Sequence, residues 1–165
     1  LAEQIRALVL ERRGETVSPT AELLLMFASR SVHLDNLVRP ALARGDWVIC
    51  DRFTDATRAY QGAGRGVDRT LIESLAGAVH GDCEPDMTLL LDLSVELGLA
   101  RARARRGDAP TDRFESETTA FFGRVREGYL ALAQKAPERF RVIDAARSAA
   151  DVSNAAVAAL TDLTA

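Results

Sequence analysis

MTLLLDLSVELGLARARARR, residues 87–106, decides how the chain is read. Residues 87–93 form a short apolar run that follows Pro85-Asp86, the pattern of a buried strand. From Val95 the pattern turns helical and runs to Arg105. A strand that passes within two residues into a helix is half of a parallel β–α unit. Working outward, FRVID (residues 140–144) repeats the strand pattern, and so does WVICDRF (47–53). Trp47 to Cys50 there are expected to be buried on both faces. Helical patterns cover 69–79, 115–135 and 149–163. Upstream, LAEQIRALVLERRG sets Leu1, Ile5, Leu8 and Val9 on one helical stripe that Gly14 stops. Ser18-Pro19 caps and starts a long helical stretch over 19–44, which Pro40 should kink or divide. QGAGRG (61–66) reads as a loop. The expected fold class is α/β, a parallel sheet flanked by helices, in one domain over residues 1–165.

Composition narrows the function. The chain has 165 residues, 47% apolar and 27% charged, with a formal charge of −3. Those values fit one globular domain with room for a core and exclude disorder. No apolar run is long enough to cross a membrane, and the balance of charge does not suit a nucleic-acid binder. Of the 21 cations only Lys135 is lysine. Arginine forks match phosphate and carboxylate, although a genomic base bias would give the same skew. Cys50 and Cys83 are too few and too far apart for a disulfide framework, and both read as buried thiols of a reducing cytoplasm. The opening at Leu1, inside an amphipathic run and with no signal peptide, reads as the loss of an N-terminal piece.

Ligands of parallel sheets bind beyond the carboxyl ends of the strands. Asp51 and Arg52 follow the first apolar run. The aspartate could hold magnesium and the arginine could clamp a phosphate, or the two could form a structural ion pair. Asp92 and Asp144, at the ends of the other runs, read as caps or loop anchors. RARARRGDAPTDR (101–113) concentrates Arg101, Arg103, Arg105, Arg106 and Arg113. A helix dipole accounts for one or two of them but not five, and Gly107 and Pro110 suggest a mobile lid over a polyphosphate. In LLLMFASR, Met26, Phe27 and Arg30 could hold a planar base, or Met26 and Phe27 could be ordinary core. Thr57, Tyr60 and Gln61 lie within reach of the same strand end.

Together these residues resemble bacterial thymidylate kinases. LAEQIRALVL, ELLLMFASR, DRFTDATRAYQGAGRG and RARAR…DRFESE occur in that family's order over nearly the whole chain. The resemblance implies a P-loop nucleoside-monophosphate kinase fold and transfer of the γ-phosphoryl of ATP to dTMP, giving dTDP. It implies that Asp51 helps place Mg2+, that Arg52 clamps the dTMP phosphate, and that Arg103, Arg105 and Arg113 reach the ATP phosphates from a lid at about 106–113. It further implies that Phe27 stacks on thymine and Arg30 donates to a thymine carbonyl. Thr57 and Gln61 would contact the base, and Tyr60 would lie by the sugar and disfavour a 2′-hydroxyl. A cytoplasmic homodimer, without nucleic-acid or membrane partners, completes the implied picture.

Two features depart from the family pattern. The stacking aromatic is expected four residues before the arginine in some members, where this chain has Met26, so either Met26 or Phe27 could cover the base. GxxxxGK followed by Ser or Thr occurs nowhere, and Lys135 lies too late in the chain to supply its lysine. On that reading the sheet is incomplete at the N-terminus and the 165-residue chain is expected to be inactive alone. A deoxynucleoside kinase and a non-catalytic nucleotide-binding relative remain as other readings.

Overall fold

A computed structural model describes residues 1–11, 14–107, 113–114 and 117–164. Its elements run α1 (Ala2–Leu10), α2 (Pro19–His33), a π-helical turn (Leu34–Val38), α3 (Arg39–Ala43), α4 (Thr54–Thr57), a second π-helical stretch (Arg58–Gly64), α5 (Arg69–Val79), β1 (Thr88–Asp92), α6 (Val95–Arg106), α7 (Thr119–Lys135), β2 (Phe140–Asp144) and α8 (Ala149–Thr164). Helix starts follow the cap chemistry. Ser18 Oγ accepts from the Ala21 N–H, Asp68 from Thr70, Ser94 from Leu97 and Thr118 from Phe121.

β1 and β2 pair in parallel, with Thr88 opposite Phe140 and Asp92 opposite Asp144. The α/β expectation therefore holds. The strand expected at 47–50 does not form. Residues 46–50 are irregular, Ile49 is 93% exposed and Trp47 is exposed as well. A run becomes a strand only where a neighbour accepts its backbone hydrogen bonds, and the one ladder among the described residues joins β1 to β2. Cys50 is accordingly exposed and Cys83 half-buried, so neither is the buried thiol expected from sequence.

Pro40 divides the long helix indirectly. It lacks an N–H and crowds the carbonyl four residues back. The chain absorbs this one turn earlier, where the Arg39 N–H bonds to the Leu34 carbonyl five residues away. QGAGRG is not a loop, since Gln61–Gly64 continue the helix that begins at Thr54. That π-helical stretch packs against α7 at close range. A Cβ on Gly64 would lie 2.6 Å from the Phe121 ring, and one on Gly128 would lie 2.7 Å from the Ala63 methyl. Glycine is there to let two backbones approach.

Among the described residues, two clusters of buried apolar side chains border the site. Leu23, Phe27, Ile72 and Ala76 join α2 to α5. Ala59, Phe121 and Val125 join the π-helical stretch to α7, with Tyr60, Phe114, Phe122 and Tyr129 around them. Ala59 and Tyr60 tie residues 53–61 to the second cluster, and α2 and α5 pack on the π-helical stretch that follows Thr57. Among the described residues no helix is long and apolar enough to cross a membrane.

Candidate functional site

The segment after Cys50 is fixed by a buried carboxylate. Asp55 takes the Arg139 fork at 2.6 and 3.0 Å, Arg58 at 3.0 Å and the Thr88 hydroxyl at 3.2 Å. Burial raises its pKa, but the Arg139 and Arg58 guanidiniums outweigh burial and hold it below the usual carboxylate range. Arg58 also bridges Glu73 and Glu84. Thr54, one residue earlier, bonds to the buried His80 ring at 2.9 Å. The start of β1 and the residue before β2 thus hold the helix that carries Thr57, Tyr60 and Gln61.

Arg52 stands at φ 69° among residues without a glycine's freedom. A left-handed conformation costs a non-glycine residue about 1–2 kcal/mol. Its guanidinium lies 4.9 Å from the Tyr60 ring centroid. Neither Asp51 nor Arg52 makes a side-chain hydrogen bond or ion pair among the described residues, and both are exposed. The structural ion pair is therefore absent, and the strained backbone presents a free cation beside a free carboxylate.

Arg30 is the buried counterpart. It is 8% exposed, its Nη2 donates to the Phe53 carbonyl at 3.2 Å and to Thr57 Oγ1 at 3.0 Å, and its Nη1 is buried without a partner. Burial pulls its pKa down to about 10, so it stays charged at neutral pH. Its guanidinium lies over both Phe27 and Phe53, at 4.9 and 5.3 Å. Phe27 itself is 2% exposed, and Arg30 covers one ring face. It packs in the core here and does not present its ring to a ligand, whereas Met26 is half-buried.

Tyr60 sits at the centre of an aromatic group, 5.9 Å from Phe114, 6.0 Å from Phe121 and 6.3 Å from Tyr129. Burial pushes the Tyr129 hydroxyl well above the usual phenol range. Arg113 lies over the Phe114 ring at 5.2 Å, so Arg52 and Arg113 each rest on a ring of the same aromatic group. Arg113 is nonetheless committed elsewhere. It pairs with Glu22 and donates to the Val9 carbonyl at 3.1 Å. Arg103 and Arg105 are exposed at the end of α6, and neither side chain makes a hydrogen bond or ion pair among the described residues. Arg101 instead holds the Ala145 and Ala146 carbonyls. Residues 108–112 of the expected lid lie outside the described residues.

Asp92 takes Arg126 at 2.7 and 2.8 Å, and Asp144 caps Ala146, as expected for anchors at strand ends. Lys135 lines a separate hollow of about 330 Å³ between Gly62, Ile72 and Leu132. Sequence reasoning missed Glu22, Asp55, Arg58 and Arg139. Glu22 carried no signal, because a glutamate in the first turn of a helix is favoured by the dipole in any protein.

Comparison with solved structures sets the class. The crystal structure of thymidylate kinase from Ehrlichia chaffeensis matches with a TM-score of 0.66 and 33% identity, over 86% of this chain and 66% of that one. The parallel β–α units and the arginines near their ends therefore belong to a phosphotransferase of the P-loop nucleoside-monophosphate kinase fold. The family model for thymidylate kinase matches residues 1–156. Thymidylate kinases of Teredinibacter turnerae and Chromohalobacter salexigens are 56% and 55% identical, over 92% and 98% of this chain. The chain spans 73% and 76% of their lengths. It belongs to the thymidylate kinase family.

Proposed function

We propose that these residues serve a reaction with dTMP as phosphoryl acceptor and ATP as donor, giving dTDP and ADP, and that the 165 residues alone, which contain no GxxxxGK followed by Ser or Thr, bind dTMP without turning it over. One observation carries this reading: two arginines flank residues 53–57, one with a free charged head and one buried with an unpartnered nitrogen. A free guanidinium suits a phosphate, and a buried unpaired donor suits a carbonyl on a planar base. An acceptor phosphate oxygen attacks the γ-phosphorus in line, the bond to the bridging oxygen breaks, and ADP leaves with its electron pair. Arg52 holds the acceptor for that attack. Tyr60, against Arg52, lies where the sugar would bridge phosphate and base.

Asp51 offers one exposed carboxylate, and no larger cluster of metal-ligating groups occurs among the described residues. Such a site fits Mg2+, which keeps most of its waters and takes one or two carboxylates beside substrate phosphates. The ion would supply neutralisation of phosphate charge. Arg103 and Arg105, exposed in the last turn of α6, would meet the ATP phosphates. Two copies associating through the helix over 19–38, which exposes Leu24 and Leu37, make the homodimer. A family of cytoplasmic nucleotide enzymes fits two unpaired thiols.

The test compares dTMP with thymidine, by calorimetric binding and by dTDP formation with ATP and Mg2+. Tighter binding of dTMP than of thymidine supports the reading, and dTDP formed by these 165 residues alone overturns the expected inactivity. Preference for thymidine makes the chain a deoxynucleoside kinase.

A further inference from the structure

Glu22 is entirely buried in the first turn of α2, yet three side chains from distant parts of the chain converge on it. Gln61 Nε2 donates to Oε1 at 2.6 Å. Arg113 Nη2 pairs with Oε2, and Arg65 stands 3.4 Å from the same oxygen. Arg65 in turn reaches Glu117 at 2.6 Å. Both Glu22 oxygens thus face nitrogen donors, and a carboxylate only accepts hydrogen bonds. The Gln61 amide must therefore turn its nitrogen to Glu22. Its oxygen faces the other way and accepts no bond among the described residues. One turn earlier, Thr57 holds Arg30, whose Nη1 is buried and unpartnered.

We infer that Glu22 is a positioning residue for base selection: by holding the Gln61 amide nitrogen it presents the Gln61 oxygen as an acceptor beside the Arg30 donor. Resting on the dTMP reading, this pair matches an imide edge, which offers a carbonyl oxygen next to an N–H. A cytosine edge offers the reverse, a ring acceptor next to an amino donor, and leaves like groups facing each other. A carboxylate that never touches the nucleotide would thus discriminate imide pyrimidines from aminopyrimidines.

Calorimetry of dTMP and dCMP binding to the wild type, Glu22→Gln, Gln61→Ala and the double variant tests this. Glutamine at position 22 can offer either atom, so the Gln61 amide loses its fixed direction. Glu22→Gln is expected to bind dTMP about tenfold more weakly and to narrow the dTMP-to-dCMP ratio. The double variant should add nothing to Gln61→Ala. An unchanged ratio, or equal losses for both nucleotides, overturns the inference. Should Glu22→Gln not fold, the wild type still decides. The Gln61 side-chain amide protons, assigned by their loss in Gln61→Ala, should exchange slowly before any nucleotide is added, and fast exchange overturns the inference. Equal wild-type affinity for dTMP and dCMP refutes the dTMP reading instead, while the exchange measurement still judges the Glu22–Gln61 bond.

Discussion

At Arg52 a backbone penalty is accepted in order to hold a cation free of partners. The residue stands at φ 69°, its guanidinium rests on the Tyr60 ring, and Asp51 beside it is equally unpaired. A charge-assisted hydrogen bond to a phosphate contributes about 1.5–3 kcal/mol. Arg52→Ala is therefore expected to weaken dTMP binding by about 10–100-fold and to leave thymidine binding nearly unchanged, as read by calorimetry. Equal effects on both ligands would remove Arg52 from the phosphate. The DR pair was singled out in the sequence because it follows an apolar run read as a strand, yet residues 46–50 are irregular here. The choice between a free cation and an ion pair was not legible, because it depends on whether Arg52 meets Asp51 in space. Phe27 shows the opposite failure. Its spacing from Arg30 suited a stacking ring, but Leu23, Ile72 and Ala76 close over it from two helices.

Among the elements, the helix from Thr54 to Gly64 does most to place the site, and it is tied to the sheet by Asp55. The folded pKa of Asp55 is depressed, so its contribution to stability is present above the unfolded carboxylate value of about 4 and is lost as pH falls below it. Glu73, paired with Arg58, and Asp92, paired with Arg126, act in the same direction. Arg139→Ala should cost about 2–3 kcal/mol at neutral pH, with Arg58 left to hold the carboxylate. It should also flatten the fall in melting temperature between about pH 5 and pH 2 relative to the wild type. Thermal unfolding followed against pH checks both, and an unchanged acid slope would show that the pair does not link folding to protonation. Element types were largely legible from periodicity and caps: α5 and β2 fall on the residues expected, and α6 and α8 within one. The π-helical stretches were not, since an extra residue per turn leaves no mark in an apolar pattern.

For the whole molecule, two small clusters and a two-stranded sheet leave Trp47, Ile49, Leu91 and Val142 exposed. The helix over 19–43 adds Leu24, Leu37 and Leu42. If two copies associate through that helix, Leu24→Glu with Leu37→Glu should shift sedimentation from dimer to monomer at micromolar concentration, while dTMP affinity per chain holds. A wild type that sediments as a monomer, or a variant that remains a dimer, rules the helix out as the interface.

Some features of this protein follow from local order alone. Where β–α units begin, which residues cap helices and which motif places it with thymidylate kinases are written in neighbouring residues, because caps, periodicity and short motifs are short-range chemistry. Which carboxylate neutralises which arginine was settled only in three dimensions. Glu22 lies 39 residues from Gln61 and 91 from Arg113, and Asp55 lies 84 from Arg139. Residues 47–50 carry a strand's pattern without becoming one for the same reason: pairing is a property of the neighbour as well as of the segment.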